Sequence, residues 1–281
     1  EAVLLSIGGM GIFDAICHSF TTMATGGFST KQDSIAYWNS PYIQYVIIVF
    51  MCIAATNFGL FYAALKGDVK KLLLDEEFLG ATTIIATGLY WANWGEEEKC
   101  IRDALFQVVS IMTTTGFATA DYLYWPTLLG LILFILMFIG SCASSTAGGI
   151  KVIRVVLLFK NSFTEMKRII HPNAVINVKY NDKSVHPTIM TSVMGFFILF
   201  IIVFSIGSVI MAFFTEDIAT ACSAVITSLS NIGPGFGSLG PMDNFAHLSD
   251  VAKLFLAALM LIGRLEVFTV LVLFTKAFWK K

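Results

Sequence analysis

Long apolar runs alternate with short polar breaks along this chain, and the breaks recur. Five stretches are apolar enough to cross a bilayer: Pro41 to about Leu65, residues 78–95, Pro126 to Lys160, residues 188–214, and Val251 to about Phe274. Crossing takes about 20 such residues. Beside them lie three helix-compatible stretches too short to span, at 11–24, 101–113 and 217–230. Each runs into a polar stretch: Thr25-Gly26-Gly27-Phe28-Ser29-Thr30, then Thr114-Thr115-Gly116-Phe117-Ala118-Thr119, then the more degenerate Asn231-Ile232-Gly233-Pro234. Aligning Gly27, Gly116 and Gly233 brings their surroundings into register, which marks an internal repeat. The pattern predicts an all-α integral membrane fold. Its units are helix, re-entrant pore helix with filter loop, and helix, arranged around a central pore. The expected divisions are 1–71, 72–160, a cytoplasmic connection at 161–187, and 188–281. Residues 1–10 look like the end of a span already under way, so a first repeat is expected to precede them.

The glycines suggest what the breaks do. Glycine lets the backbone turn successive carbonyls the same way. Non-helical backbone at membrane depth is tolerated only where it is buried in protein or lines water. Carbonyl oxygens in such a place can replace the hydration shell of a monovalent cation. The candidate ion-binding residues are therefore Thr25, Gly26, Gly27, Thr114, Thr115, Gly116, Asn231, Ile232 and Gly233. A surface turn is the alternative for any one copy, and three copies behind short helices argue against it.

The 126–160 run is itself interrupted. Gly140, Ser141, Cys142, Ala143, Ser144, Ser145, Thr146, Ala147, Gly148 and Gly149 are small or polar where a hydrophobic core should be. Small residues mediate tight helix packing in membranes. Ten in succession also fit an unwound segment below the filter, a candidate gate. Lys151 and Arg154 follow, as if snorkelling to the inner surface. Arg264 lies inside the last run, where a charge must face protein or water. It reads either as a tie to Glu266 or a carbonyl, or as an electrostatic barrier in the pore. Two residues apart, Arg264 and Glu266 do not share a helix face.

Composition agrees with a membrane protein. The 281 residues are 57% hydrophobic and only 13% charged, against about 25% charged in soluble domains. A net charge of −1 points to no nucleic acid. Five scattered cysteines form no metal spacing and no disulfide framework. Lys66, Lys70, Lys71, Lys151, Arg154, the Lys160–Lys183 connection and Lys276, Lys280 and Lys281 fall on one side, which sets it as the inner one. The other side carries Asp33, Glu96-Glu97-Glu98, Asp103, Asp121, Glu216, Asp217, Asp243 and Asp250, which read either as a solvated outer face or as a vestibule that would concentrate cations. Trp91 and Trp94 would sit at the interface.

Other signals carry less. Gly235-Phe236-Gly237-Ser238-Leu239-Gly240 matches GxGxxG, but no βαβ unit surrounds it. His18 is read as a packing residue on a re-entrant helix. No GxSxG, HExxH or Walker A occurs, and the chain reads as no enzyme, with no organic cofactor.

The stretches His18 to Thr30, Phe106 to Asp121 and Ser230 to Gly235 resemble the second, third and fourth pore loops of the Trk/Ktr/HKT superfamily of potassium transporters. The interrupted 126–160 span and Gly263-Arg264-Leu265-Glu266-Val267-Phe268-Thr269 resemble its bacterial TrkH branch. The resemblance implies four such units around one pore in the lipid bilayer of the bacterial inner membrane, and potassium as the ion held at the filter residues. It also implies a homodimer and a cytosolic, nucleotide-binding regulatory ring of the RCK (TrkA-like) type. In that frame 140–149 is the gating loop and Arg264 the pore-facing arginine. A sodium-permeable relative and an alternating-access carrier are the rival readings.

Overall fold

The computed structural model describes residues 1–92, 98–174 and 176–280. Trp94, Glu96, Glu97, Lys281 and the side chain of Trp91 lie outside the described residues. The described chain is helical: α1 Ala2–Ile7, α2 Ile12–Met23, α3 Pro41–Ala55, α4 Phe58–Leu65, α5 Val69–Leu73, α6 Glu76–Ala92, α7 Glu98–Met112, α8 Thr127–Leu136, α9 Val152–Ile170, α10 Pro187–Met211, α11 Ile218–Ser230, α12 Asp250–Arg264, α13 Val267–Val272 and α14 Lys276–Trp279. A two-residue hairpin, β1 Lys179–Tyr180 and β2 Lys183–Ser184, lies in the connection between α9 and α10.

The three short helices are each cradled by longer neighbours. α2 packs on α1 and α3, α7 on α3, α6 and α8, and α11 on α10 and α12. Burial follows this placement. From Arg102 to Met112 all but one residue of α7 is buried, and from Thr220 to Ser230 all but one residue of α11. The outer helices α10 and α3 instead turn Ile198, Ile202, Ile206 and Val49 outward. Apolar side chains facing out from an apolar helix are the signature of a lipid-facing wall.

Three of the long runs are not continuous helices. The 41–65 run breaks at Thr56–Asn57, where α3 and α4 meet at 105°. Asn57 starts the second piece by accepting the N–H groups of Gly59 and Leu60, and the α3 carbonyls freed at Ala54 and Ala55 bond elsewhere. The 251–274 run breaks after Arg264, with Glu266 at φ 65°. The 126–160 run loses its helix from Met137 to Lys151, and α9 then continues to Ile170, past the Lys160 expected as its end. Among the described residues α10 alone is long and apolar enough to cross a bilayer unbroken, and the α3–α4 pair qualifies if counted together.

The first turn of α11 shows how a buried short helix is started. Asp217 caps it, its Oδ2 accepting from Thr220 N and Thr220 Oγ1, both at 3.1 Å. The Thr220 backbone bond, above all, holds this carboxyl below the usual aspartate value of 3.8. A group with a depressed folded pKa stabilises above its unfolded pKa and loses that contribution as the pH falls. Asp217→Ala should therefore lower the thermal stability of the full-length protein by about 1 kcal/mol at neutral pH. Asp217→Asn should keep the cap and lose the pH dependence below 3.8, both read from melting curves across pH.

Candidate functional site

The three Gly-bearing loops share one backbone design. Thr25, Thr114 and Asn231 have φ of 49°, 54° and 56°, and Gly27, Gly116 and Gly233 have φ of 63°, 86° and 114°. Gly26, Thr115 and Ile232 between them have no such positive φ. Positive φ therefore alternates with its absence along each loop, the same pattern in all three. The same two bonds close each loop onto its helix. Gly26, Thr115 and Ile232 donate to the carbonyls of Thr21, Ser110 and Thr227 at 2.8, 3.0 and 2.9 Å. Thr25, Thr114 and Asn231 donate to Thr22, Ile111 and Ser228 at 3.0, 3.0 and 3.2 Å.

A hydroxyl brace then distinguishes the third loop. Thr21 Oγ1 donates to the Phe28 carbonyl at 2.9 Å, and Ser110 Oγ to the Phe117 carbonyl at 2.6 Å. The equivalent Thr227 instead bonds within its helix, to Ser223 and Ala224. That loop continues into Pro234 and is held by Tyr122 OH on the Gly235 carbonyl at 2.8 Å. On the first loop, His18 donates from Nδ1 to the Asp14 carbonyl at 2.7 Å and meets Ser29 Oγ with Nε2 at 2.9 Å. The sequence reading of His18 as a packing residue matches this buried position.

The loops abut in order. A Cβ on Gly27 would fall on the Thr115 carbonyl oxygen, and one on Gly116 would fall on that of Ile232. Gly233 has open space beside it. A cavity of about 490 Å³ separates the first loop from the third and is lined by Thr25, Gly26, Asn231, Gly233 and Arg264. None of the nine carbonyls at positions 25–27, 114–116 and 231–233 accepts a hydrogen bond among the described residues.

The interrupted segment lies against these loops. Its ends are pinched together by Gly140 N on the Ile150 carbonyl and Ile150 N on the Phe138 carbonyl. Its middle meets the left-handed residues of two loops. Thr25 Oγ1 donates to the Thr146 carbonyl at 2.9 Å, and Gly148 N donates to Thr114 Oγ1 at 2.7 Å. Ser141 Oγ takes the last carbonyl of α7, at Met112. Cys142 N and Thr146 Oγ1 take the Ala55 and Ala54 carbonyls freed at the α3–α4 break. Gly148 backs directly onto the Ser230 carbonyl, leaving no room for a Cβ.

Arg264 reaches this segment as well, donating from Nη1 to the Thr146 carbonyl at 2.5 Å. It lines both the cavity of about 490 Å³ and a second one of about 330 Å³, which Ser144, Ser145, Thr146, Ala147, Gly148 and Gly149 also line. Glu266 does not pair with Arg264. It takes Arg154 Nη2 at 2.8 Å, and that guanidinium sits over the Phe196 ring. The two basic residues after the segment therefore turn inward and do not snorkel. Lys151 Nζ folds back onto the Ala147 carbonyl, and Arg154 ties α9 to α10 and α13.

Sequence reasoning missed Glu77, 2% exposed, whose Oε1 accepts from Ala143 N at 2.6 Å. The available signal was a carboxylate at the mouth of an apolar run, masked by its acidic neighbours Asp75 and Glu76. No cluster of His, Cys, Asp and Glu suited to a metal occurs among the described residues.

Comparison with known proteins places the chain. The family model described as TrkH, cation transport protein, matches residues 1–85 and 96–281. The Trk system potassium uptake protein TrkH of Escherichia coli strain K12 is 42% identical over 289 aligned positions, covering 100% of this chain and 59% of that protein. TrkG of the same strain is 33% identical, covering 99% of this chain and 59% of its own length. The crystal structure of the potassium transporter TrkH from Vibrio parahaemolyticus superposes with a TM-score of 0.92 at 38% identity, over 99% of this chain and 62% of that one. This chain thus spans 59% of the length of those two E. coli relatives. The matched model, the identity and the shared all-α membrane fold agree, and the chain belongs to the TrkH family of cation transport proteins, which are transporters and not enzymes.

Proposed function

We propose that this chain carries the filter and gate of a bacterial potassium uptake protein with channel-like permeation. One observation carries the reading: nine carbonyls in three loops of the same backbone pattern, without hydrogen-bond donors among the described residues. Buried carbonyls are nearly always paired, yet those of the buried Thr25, Thr114, Thr115 and Ile232 have no donor among the described residues, which needs an explanation. A dehydrating monovalent cation supplies one, because carbonyl oxygens replace its water. Potassium is the ion named for the E. coli and Vibrio relatives.

Ions enter from the acidic outer face, lose water at Thr25–Gly27, Thr114–Gly116 and Asn231–Gly233, and meet the 140–149 segment, the proposed gate. A cavity of about 490 Å³ lies between the first loop and the third, lined by Gly26 and Gly233. Arg264, bonded to Thr146 between two cavities, acts as a positive barrier beneath the filter. The inner basic connection from Lys160 to Lys183 docks an RCK-type nucleotide-binding regulator, and the protein works as a homodimer in the inner membrane. A sodium-permeable variant of the same reading draws on the third loop, where Ile232-Gly233-Pro234 lacks the hydroxyl brace of the other two.

Flux into liposomes holding the full-length protein tests the filter. Potassium and rubidium should run ahead of sodium, and equal or faster sodium flux would move the protein to the sodium-permeable reading. Gly116→Ala puts a Cβ on the Ile232 carbonyl at a φ of 86°. It should cut rubidium flux about tenfold or more, a loss equivalent to about 1.4 kcal/mol, while the protein stays assembled. Deleting residues 141–147 should raise basal flux; a well-folded deletion with unchanged flux rules out the gate.

A further inference from the structure

The first turn of α6 is acidic, buried and unused by the filter. Glu77 Oε1 accepts two N–H groups, Ala143 at 2.6 Å and Ile153 at 3.2 Å. Ala143 lies in the interrupted segment, and Ile153 lies in the first turn of α9, whose N–H groups have no partner within the helix. One oxygen thus joins the segment to the helix that follows it. Among the described residues no lysine or arginine forms an ion pair with Glu77. Burying a carboxylate without a cationic partner is costly, so its bonds to the backbone are what hold it there.

Glu77 is fixed from the cytoplasmic side by a second set of bonds. Asp75 Oδ1 caps α6, accepting from Glu77 N and Phe78 N at 3.0 and 3.1 Å. Its Oδ2 accepts from Asn181 Nδ2 at 2.6 Å, while Asn181 Oδ1 accepts from Glu76 N at 3.0 Å. Asn181 and Asp182, at φ 45° and 61°, are the turn of the β1–β2 hairpin. Two left-handed residues are what a tight two-residue hairpin turn requires. Lys160 closes the junction by bridging Glu76 Oε2 and the Lys179 carbonyl. The tip of the hairpin is therefore seated on the helix end that carries Glu77.

We propose that Glu77 is the positioning residue of the 140–149 segment and that the β1–β2 hairpin is its handle. Lifting the hairpin off α6 withdraws the carboxylate from Ala143 and Ile153 and releases the segment. The proposal rests on the reading of that segment as a gate. It requires the reach of the side chain and not its charge, since both hydrogen bonds to Oε1 among the described residues come from backbone N–H groups. A contiguous chain of bonds proves coupling only when both ends are perturbed.

The test uses full-length protein in liposomes, with rubidium and sodium flux measured without any regulator. Glu77→Gln keeps an acceptor at the same reach and should stay at wild-type flux. Glu77→Asp keeps the charge but draws it back by one methylene. It should raise basal rubidium flux about fivefold, the equivalent of one lost hydrogen bond, with the rubidium-to-sodium ratio unchanged. Asn181→Ala should also raise flux, and the Glu77→Asp/Asn181→Ala double variant should add little to Glu77→Asp alone. Wild-type flux in Glu77→Asp, raised flux in Glu77→Gln, or full additivity in the double variant each overturns the proposal. Should Glu77→Asp not assemble, a silent Asn181→Ala overturns it on its own. The 141–147 deletion separates the two layers: no change there removes the gate reading, whereas raised flux there with a silent Glu77→Asp removes only the role of Glu77.

Discussion

Backbone that leaves the helix at bilayer depth must have its polar groups met from inside the protein, and residues 140–149 meet that condition by taking the broken ends of everything around them. The last carbonyl of α7, the carbonyls freed where α3 stops, the side chains of Thr25 and Thr114, the Arg264 guanidinium and the Glu77 carboxylate all terminate on this one segment. Each break in the fold is therefore matched to another. α3 ends at Ala55 because its free carbonyls have donors waiting, and those donors are free because α8 ended at Leu136. Replacing any one break with continuous helix would orphan groups in the others.

The same dependence explains why left-handed residues other than glycine are used. Thr25, Thr114 and Asn231 hold a conformation that costs about 1–2 kcal/mol for most residues. Each has a side-chain bond across to another element, to Thr146, to Gly148 and to Met260. A glycine there would fit the backbone but lose that anchor. The third loop departs in two linked ways: its brace hydroxyl turns back into α11, and its next residue is Pro234. In the proposed pore the ring of carbonyls is consequently held with unequal stiffness, firm on the first two loops and supported from outside by Tyr122 on the third.

Charge inside the fold is spent on positioning. Arg154 is shared between Glu266 and the Phe196 ring, Lys151 returns to the segment it follows, and Glu77 serves N–H groups. In a medium where an unpaired charge costs several kcal/mol, such residues persist only with partners supplied by neighbouring elements. They connect the 140–149 segment to α6, α10 and α13, and through Asp75 and Asn181 to the β1–β2 hairpin.

Much of this was legible in the order of residues. Apolar length and the recurrence of Thr-Gly-rich breaks identify a repeated membrane unit, because bilayer thickness and repeat period are both properties of a linear string. The register of Gly27, Gly116 and Gly233 could be read the same way, and all three adopt positive φ. The run at 140–149 marks a weakened helix, since three glycines, three serines and a threonine outweigh its two alanines. What the string did not contain was partnership. The breaks at Thr56–Asn57 and at Glu266 fall inside apolar runs that read as continuous, because a helix stops there only when its freed carbonyls and amides find donors and acceptors far away in sequence. Glu266 pairing with Arg154 instead of Arg264, Lys151 turning inward, and Glu77 reaching Ala143 across 66 positions are likewise decided by which elements pack together. Periodicity and length reside in the chain; the matching of one broken end to another exists only once the chain has folded.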